Sequence, residues 1–241
     1  MTAEEQTAAG LRIEALAPMR LGEVLQAPGE VVDNAYGVTL ITPRVESLVV
    51  RRHARLGDEV AAGAALVSLS SVEVAEAQGE LRIAEQEWQR VQSLGKEAVS
   101  GRRYTEAAVA VEQARAKARA YGIAGSASGS ANGEYTLFAP HAGRLTEDDF
   151  VIGQRIEPGF TLFRLVDEST VWIDATLPAE IARRVVVGKD ATVVAAGVRL
   201  SGRVVQSAHR TAEDTRNAHV RVEVPNDGDQ LHAGDFVEVS L

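Results

Sequence analysis

Residues 70–122 read SSVEVAEAQGELRIAEQEWQRVQSLGKEAVSGRRYTEAAVAVEQARAKARAYG. In the first half, Val74, Ala77, Leu81, Ala84, Trp88 and Val91 recur at alternating three- and four-residue steps, which places them on one face of a helix. The second half repeats the rhythm with Tyr104, Ala107, Val111, Ala114, Ala118 and Tyr121. Ser70 with Glu73 fits a capping box, and Leu69 with Val74 fits a hydrophobic staple. Gly95 suits a left-handed C-terminal cap, Ser100 a second N-cap, and Gly122 follows Lys117 and Arg119, cations that complement a helix C-terminus. Two delimited helices of about 20 to 24 residues project roughly 30 to 35 Å at 1.5 Å per residue. One narrow apolar stripe per arm predicts a protruding two-helix coiled coil; a bundle helix carries a wider apolar face.

Outside this stretch, composition narrows the field. The 241 residues, 45% of them hydrophobic, suffice for real cores in one or two domains. A formal charge of −9 with no basic stripe argues against nucleic acid as a partner. The absence of cysteine removes disulfides, thiolate metal sites and a cysteine nucleophile. No run of about 18 apolar residues offers a membrane span. The acidic start Met1-Thr2-Ala3-Glu4-Glu5 lacks the pattern of a signal peptide.

On either side of the predicted hairpin the sequence repeats itself. Pro43, Leu48, Gly57, Val60, Gly63, Leu66 and Leu69 align with Pro140, Leu145, Gly153, Ile156, Gly159, Leu162 and Leu165, with identical three-residue steps from the first glycine onward. Such matched glycines and aliphatics indicate two equivalent half-units, the glycines turning and the aliphatics forming short strands. This pattern resembles the two halves of a biotinyl/lipoyl-carrier-type domain. In a carrier, a lysine on the turn between the halves receives the cofactor; here the hairpin replaces that turn. The replacement resembles the periplasmic adaptor subunits, or membrane fusion proteins, of tripartite efflux pumps.

The remaining chain extends the resemblance. Val171, Ile173 and Ala175 alternate with polar or outward neighbours, as do Val220, Val222 and Val224, and Val237 and Val239, which predicts a small antiparallel barrel. Residues 167–173 and 231–239, with Pro28-Gly29-Glu30-Val31, resemble the adaptor family's barrel motifs; by itself the Ala27-Pro28-Gly29 run reads as a turn between two strands. The expected fold is mainly β with an inserted α-helical hairpin: a lipoyl-like barrel-sandwich hybrid plus a β-barrel, nested like parentheses. The expected divisions are 1–20 as a remnant of a membrane-proximal domain, 21–37 with 169–241 as barrel, 38–70 with 134–168 as sandwich, 71–123 as hairpin and 124–133 as flexible linker. A longer exported protein, of which this chain is a part, is the expected origin of the missing signal and fourth domain.

The resemblance implies a non-catalytic adaptor in the periplasm, associated with the inner membrane. Its implied partners are an inner-membrane resistance-nodulation-division transporter, an outer-membrane channel and further copies of itself. The short hairpin and the residues around Trp172 resemble the heavy-metal branch, with a drug-pump adaptor as the alternative. In the family an arginine, a leucine and a serine around the hairpin turn engage the channel, and Arg90, Leu94 and Ser100 match in type and order. The surrounding Arg90, Lys96, Arg102 and Arg103 against Glu97 give a local balance of +3. Hinge motion is expected at the paired linkers, residues 69–71 and 122–134.

Other chemistry is sparse. His209 and His219 flank a predicted strand-to-strand loop, which makes them candidate ligands for a transient zinc or copper ion; no resident cofactor is expected. His53 and His141 have no evident partner in sequence. Glu147-Asp148-Asp149 reads as a solvated turn. No nucleophile elbow, zincin, P-loop or dinucleotide fingerprint is present. The competing reading from another class is a biotin- or lipoate-carrier domain, for which the lysine nearest the turn is Lys96.

Overall fold

The computed structural model describes residues 25–95, 97–123, 132–211 and 216–241, and for 208–211 the backbone alone. The readings of segment 1–20, of Lys96 and of linker positions 124–131 lie outside the described residues. In chain order the elements are β1 (Gln26–Asp33), a 3-10 turn (Ala35–Gly37), β2 (Val38–Ile41), β3 (Ser47–Arg52), β4 (Glu59–Val60) and β5 (Ala65–Ser70). Then come α1 (Val72–Leu94), α2 (Gly101–Ala120), β6 (Glu134–Phe138), β7 (Gly143–Glu147), β8 (Arg155–Ile156) and β9 (Phe163–Val166). The chain closes with β10 (Thr170–Pro178), the short helix α3 (Ala179–Ala182), β11 (Asp190–Ala195), β12 (Val198–Thr211), β13 (Asn217–Pro225) and β14 (Phe236–Ser240). The fold is mainly β with an inserted helical hairpin, as the repeats predict.

Two four-stranded antiparallel sheets, in the orders β2-β9-β7-β4 and β6-β5-β3-β8, face one another. They are exchanged by a pseudo-twofold that shifts the numbering by 96, Gly57 to Gly153. Its signature is a set of reciprocal hydrogen bonds. Gly57 N donates to Leu145 O and Gly153 N to Val49 O, each at 2.8 Å; Leu145 N donates to Asp58 O and Val49 N to Gln154 O; Gly63 N donates to Ala139 O and Gly159 N to Pro43 O. The true partner of Leu145 is therefore Val49, and that of Pro43 is Ala139, one residue away from the match by residue type. A strand slipped by one turns its side chains to the opposite face. Accordingly Val49 is 1% exposed and Leu48 47% exposed. Both halves carry a register irregularity at the same place, Val49/Arg51 and Leu145/Glu147. Leu66, Leu69, Leu145, Ile156, Leu162, Phe163 and Leu165 fill the space between the sheets.

The second β unit is a closed barrel in the order β1-β10-β13-β12-β11-β14, with β14 pairing back onto β1. Pro28-Gly29 does not turn; it lies inside the continuous strand β1. Pro28 pairs opposite Glu238 of β14, and Gly29 stands where the barrel wall is filled from across: a Cβ there would come 2.6 Å from Ile173 Cγ2. Small size, not turn geometry, is what the position requires.

Between β5 and β6 the hairpin leaves the sandwich. Ser70 pairs with Leu48 and Glu134 and ends β5, so it is unavailable as a cap. The N-cap is Ser71, whose hydroxyl makes no capping bond, and the capping box with Glu73 does not form. The predicted seam is otherwise present: Val74, Ala77, Leu81 and Val91 of α1 and Ala107, Val111, Ala114 and Ala118 of α2 are buried. Trp88 and Tyr104 meet edge to face, with ring centroids 5.1 Å apart. With 23 and 20 residues, the two helices are about 30 to 35 Å long.

The root of the hairpin is anchored in three ways. Val74, Tyr121 and Ile123 join the sandwich core. Gln78, 9% exposed, accepts from Gly133 N at 3.1 Å and donates to Glu134 O at 3.0 Å. Arg44, from the turn between β2 and β3, donates to Ala120 O at 2.9 Å and Arg119 O at 3.3 Å, placing a cation on the C-terminus of α2.

Candidate functional site

The far end of the hairpin is built so that the chain reverses with its backbone satisfied. Gly95 takes φ +78° and its N–H donates to Gln92 O at 3.2 Å. Its ψ of 160° makes it an extended, positive-φ cap rather than a left-handed helical one. Ser100 caps α2 as predicted, its Oγ accepting from Arg103 N at 3.4 Å. Beneath the turn, Val91, Val99 and Ala107 form a small buried cluster with Trp88 and Tyr104 against it.

Arg90 and Leu94 both stand on the exposed side of α1, the Leu94 residue 54% and the Arg90 side chain 65% exposed. Ser100 sits across the turn, its hydroxyl engaged in the cap. The arginine is not isolated. Glu87 bridges Arg103 of the other helix at 2.8 Å and Arg90 of its own at 3.1 Å. The hydrogen bond from Arg103, followed by the charges of Arg103 and Arg90, holds the Glu87 carboxyl below its usual range. Arg102 pairs with Glu106 at 2.7 Å. Both α2 arginines lie in the first helical turn, where cations oppose the helix dipole, so these carboxylates offset an unfavourable placement. Counting Glu87 and Glu106 with Glu97 lowers the local balance from +3 to +1. Sequence reading missed Glu87, although its spacing of three from Arg90 was the available signal. What remains at the tip is an apolar side chain beside a guanidinium whose forked donors are only partly used, an arrangement suited to backbone carbonyls or carboxylates on a partner.

The histidines divide differently. His219, on β13 opposite Thr176 of β10, is exposed, with Nδ1 3.4 Å from Thr176 Oγ1. The β12–β13 ladder is irregular between Ser207/Val220 and Thr211/Ala218, the interval that contains both His209 and His219. The His209 side chain lies outside the described residues. Among the described residues, no three His, Asp or Glu side chains are grouped to hold a metal ion. His53 and His141 do have partners: His53 Nε2 is 2.8 Å from Ser68 Oγ, and His141 Nε2 is 2.9 Å from Thr39 Oγ1. The acidic run is less solvated than its composition suggests, since Asp148 pairs with Arg52 and accepts from Leu56 N at 3.2 Å.

Comparison with known proteins supplies the family. Residues 37–167 match the family described as CzcB-like, barrel-sandwich hybrid domain, and residues 170–241 match the one described as CusB-like, beta-barrel domain. The nickel-cobalt-cadmium resistance protein NccB of Alcaligenes xylosoxydans xylosoxydans is 31% identical over 250 positions, covering 99% of this chain and 63% of the relative. The nickel and cobalt resistance protein CnrB of Cupriavidus metallidurans is also 31% identical, covering 97% of this chain and 62% of its own length. This chain thus spans less than two thirds of these curated relatives. In fold it is similar to the crystal structure of ZneB from Cupriavidus metallidurans, at 22% identity and a TM-score of 0.61, covering 90% of this chain and 97% of that one. It is also similar to a MacA–MexA chimera carrying the Pseudomonas aeruginosa MexA α-hairpin, at 16% identity and a TM-score of 0.64, covering 91% and 81%. A sandwich split by a helical hairpin, a barrel assembled from both sides of it, and a family match across more than half of the residues lead to one assignment: the chain belongs to the membrane fusion protein family, with a CzcB-like barrel-sandwich hybrid domain and a CusB-like beta-barrel domain.

Proposed function

We propose that the chain serves as a non-catalytic periplasmic adaptor in the export of heavy-metal cations. It links an inner-membrane, proton-driven resistance-nodulation-division transporter to an outer-membrane channel and works as a homo-oligomer. The observation that carries this reading is the hairpin's position. It joins β5 to β6, where a carrier domain would have a tight turn with a modifiable lysine, and its far end exposes Arg90 and Leu94. A helical projection of this length leaves no tight β turn for a carrier lysine. The names of the 31% identical relatives favour metal cations over drugs as cargo.

Docking of the tip on the channel uses Arg90, Leu94 and Ser100. Arg90→Asp is expected to abolish cross-linking of the full-length adaptor to its cognate channel in cells, and unchanged cross-linking would overturn the docking role. Deleting the gene from its host is expected to raise sensitivity to nickel, cobalt, zinc or cadmium while leaving drug tolerance as it was; the reverse pattern identifies a drug adaptor. His209 and His219 are the candidate pair for a transient zinc or copper ion. Calorimetric titration with either metal, compared with His219→Ala, tests them.

A further inference from the structure

The sandwich is joined to the rest of the molecule at two places, and the two are built differently. At the hairpin root, apolar side chains of the helices enter the sandwich core. At the sandwich–barrel joint the chain crosses at residues 33–38 and again at 166–170, and the buried cores on the two sides are separate clusters. Among the described residues, the side-chain contacts between sandwich and barrel are polar, and the Tyr36 ring of the crossing segment rests edge to face on Trp172 of β10. Asn34 Nδ2 donates to Thr170 Oγ1 at 3.1 Å, tying one crossing segment to the other. Arg164 of β9 stands 3.5 Å from Asp33 at the end of β1. Arg144 of β7 reaches Asp229 in the barrel loop between β13 and β14 at 2.9 Å.

Both members of that last pair are held in place before they meet. Arg144 Nε donates to Glu168 at 2.8 Å and Nη1 to Gly57 O at 3.1 Å, so the guanidinium is aimed from the sandwich side. On the barrel side, buried Asn226 organises the loop: its Oδ1 accepts from Gln230 N at 3.0 Å and Leu231 N at 2.9 Å, and its Nδ2 donates to Leu231 O at 3.0 Å. Asp229 sits in that loop at φ +56°.

We infer that the sandwich–barrel joint is the molecule's hinge and that Arg144 with Asp229 is its latch. Opening the joint breaks the Arg144–Asp229 pair and the longer Arg164–Asp33 pair and leaves both cores intact. Arg144 keeps its bond to Gly57 O within the sandwich, with Glu168 of the crossing segment beside it, so its guanidinium is not stranded in the open state. Swinging the hairpin about its root would instead pull Val74 out of the sandwich core and break both bonds of Gln78. Arg144 is thus a positioning residue: it sets the angle at which the sandwich and its hairpin stand on the barrel.

The test uses the natural absence of cysteine, which permits clean spin labelling. One label pair spans the joint, Arg51→Cys on β3 with Thr192→Cys on β11; a second spans the root, Arg51→Cys with Gln89→Cys on α1. All three positions are exposed. Asp229→Gly is the informative variant, because glycine accepts the positive φ and only the carboxylate is lost. Pulsed dipolar spectroscopy is expected to show the open population across the joint rising about two- to five-fold in Asp229→Gly, the scale of an exposed ion pair. Wild type in 1 M salt, where the screening length falls to about 3 Å, should shift in the same direction. The root pair should stay narrow throughout, and thermal melting should match wild type. A joint distribution unchanged by Asp229→Gly overturns the latch. A root distribution as broad as that of the joint overturns the placement of the hinge.

Discussion

The hairpin root and the sandwich–barrel joint are both crossings of two antiparallel segments, yet one is sealed with apolar side chains that enter a shared core and the other chiefly with polar pairs between two separate cores. At the root, complete burial of Val74 alone is worth about 1.5 kcal/mol or more. Tyr121 and Ile123 add to it, and the Gln78 bonds cannot be exchanged for water without exposing the core. At the joint, ion pairs with side chains about a third exposed contribute about 0–1 kcal/mol each, and water replaces them readily. The rigid body is therefore the sandwich with its hairpin, and the barrel is the piece that moves relative to it. For an adaptor, this means that the tip is aimed from a distance by a few charges near the barrel.

The root is the place to break the contrast most forcefully. Gly133 has φ +77° and its missing Cβ would lie 2.4 Å from Ser71 O, so Gly133→Ala combines backbone strain with a backbone collision. A loss of about 3 kcal/mol or more in urea unfolding, with protease cuts appearing at residues 71 and 133, is expected. Gln78→Ala should cost about 1–3 kcal/mol, because Gly133 N and Glu134 O lose their partner. Faster amide exchange at Gly133 reports the same loss locally. Arg44→Ala removes an exposed cation from the end of α2 and should cost only about 0.3–1 kcal/mol, seen as fraying of the last helical turn.

Acid sharpens the comparison from the other side. Asp167 lies in the crossing segment, and hydrogen bonds from the Ser169 hydroxyl and amide, with a smaller contribution from the charge of His141, hold its carboxyl below the ordinary range. A depressed acid stabilises the folded joint at every pH above its unfolded value, about pH 4, and that contribution disappears as pH falls through the lower native value. The joint should therefore loosen on acidification before the root does. Trp172 is the natural reporter, since its ring is met edge to face by Tyr36 of the crossing segment at 5.1 Å and is overlaid by Arg221. In a Trp88→Phe background its emission should shift below about pH 4, ahead of any change in helical circular dichroism.

The parts of this molecule that sequence makes legible are those governed by local periodicity. The seam from Val74 to Val91 and from Ala107 to Ala118 follows from 3.6-residue spacing, and the half-units follow from glycines at fixed three-residue steps. Residue type misleads where geometry sets the register. Pro43 and Leu48 match Pro140 and Leu145 by name, but the reciprocal bonds of Gly57 and Gly153 select Val49 as the partner of Leu145, and those of Gly63 and Gly159 select Ala139 as the partner of Pro43. Pro28-Gly29 has turn composition yet spans a barrel strand, because closure of the wall onto Ile173 is a long-range demand. At the tip, Arg90, Leu94 and Ser100 were visible as residue types. Their tether through Glu87 to Arg103 depends on two helices meeting, which the reading of either arm alone does not reveal. The latch is harder still, since Gly57, Arg144, Glu168 and Asp229 come from four separated stretches.

The pair Arg52 and Asp148 joins the two half-units across their symmetry. Under the 96-position shift the two residues map onto each other, so their ion pair straddles the pseudo-twofold itself. On the axis of a dimer of identical half-units, each residue would face its own copy, arginine against arginine or aspartate against aspartate. Opposite charges can meet there only once the halves are encoded separately. Such a pair commits each half to the other: neither could pair with a copy of itself without placing like charges at the centre.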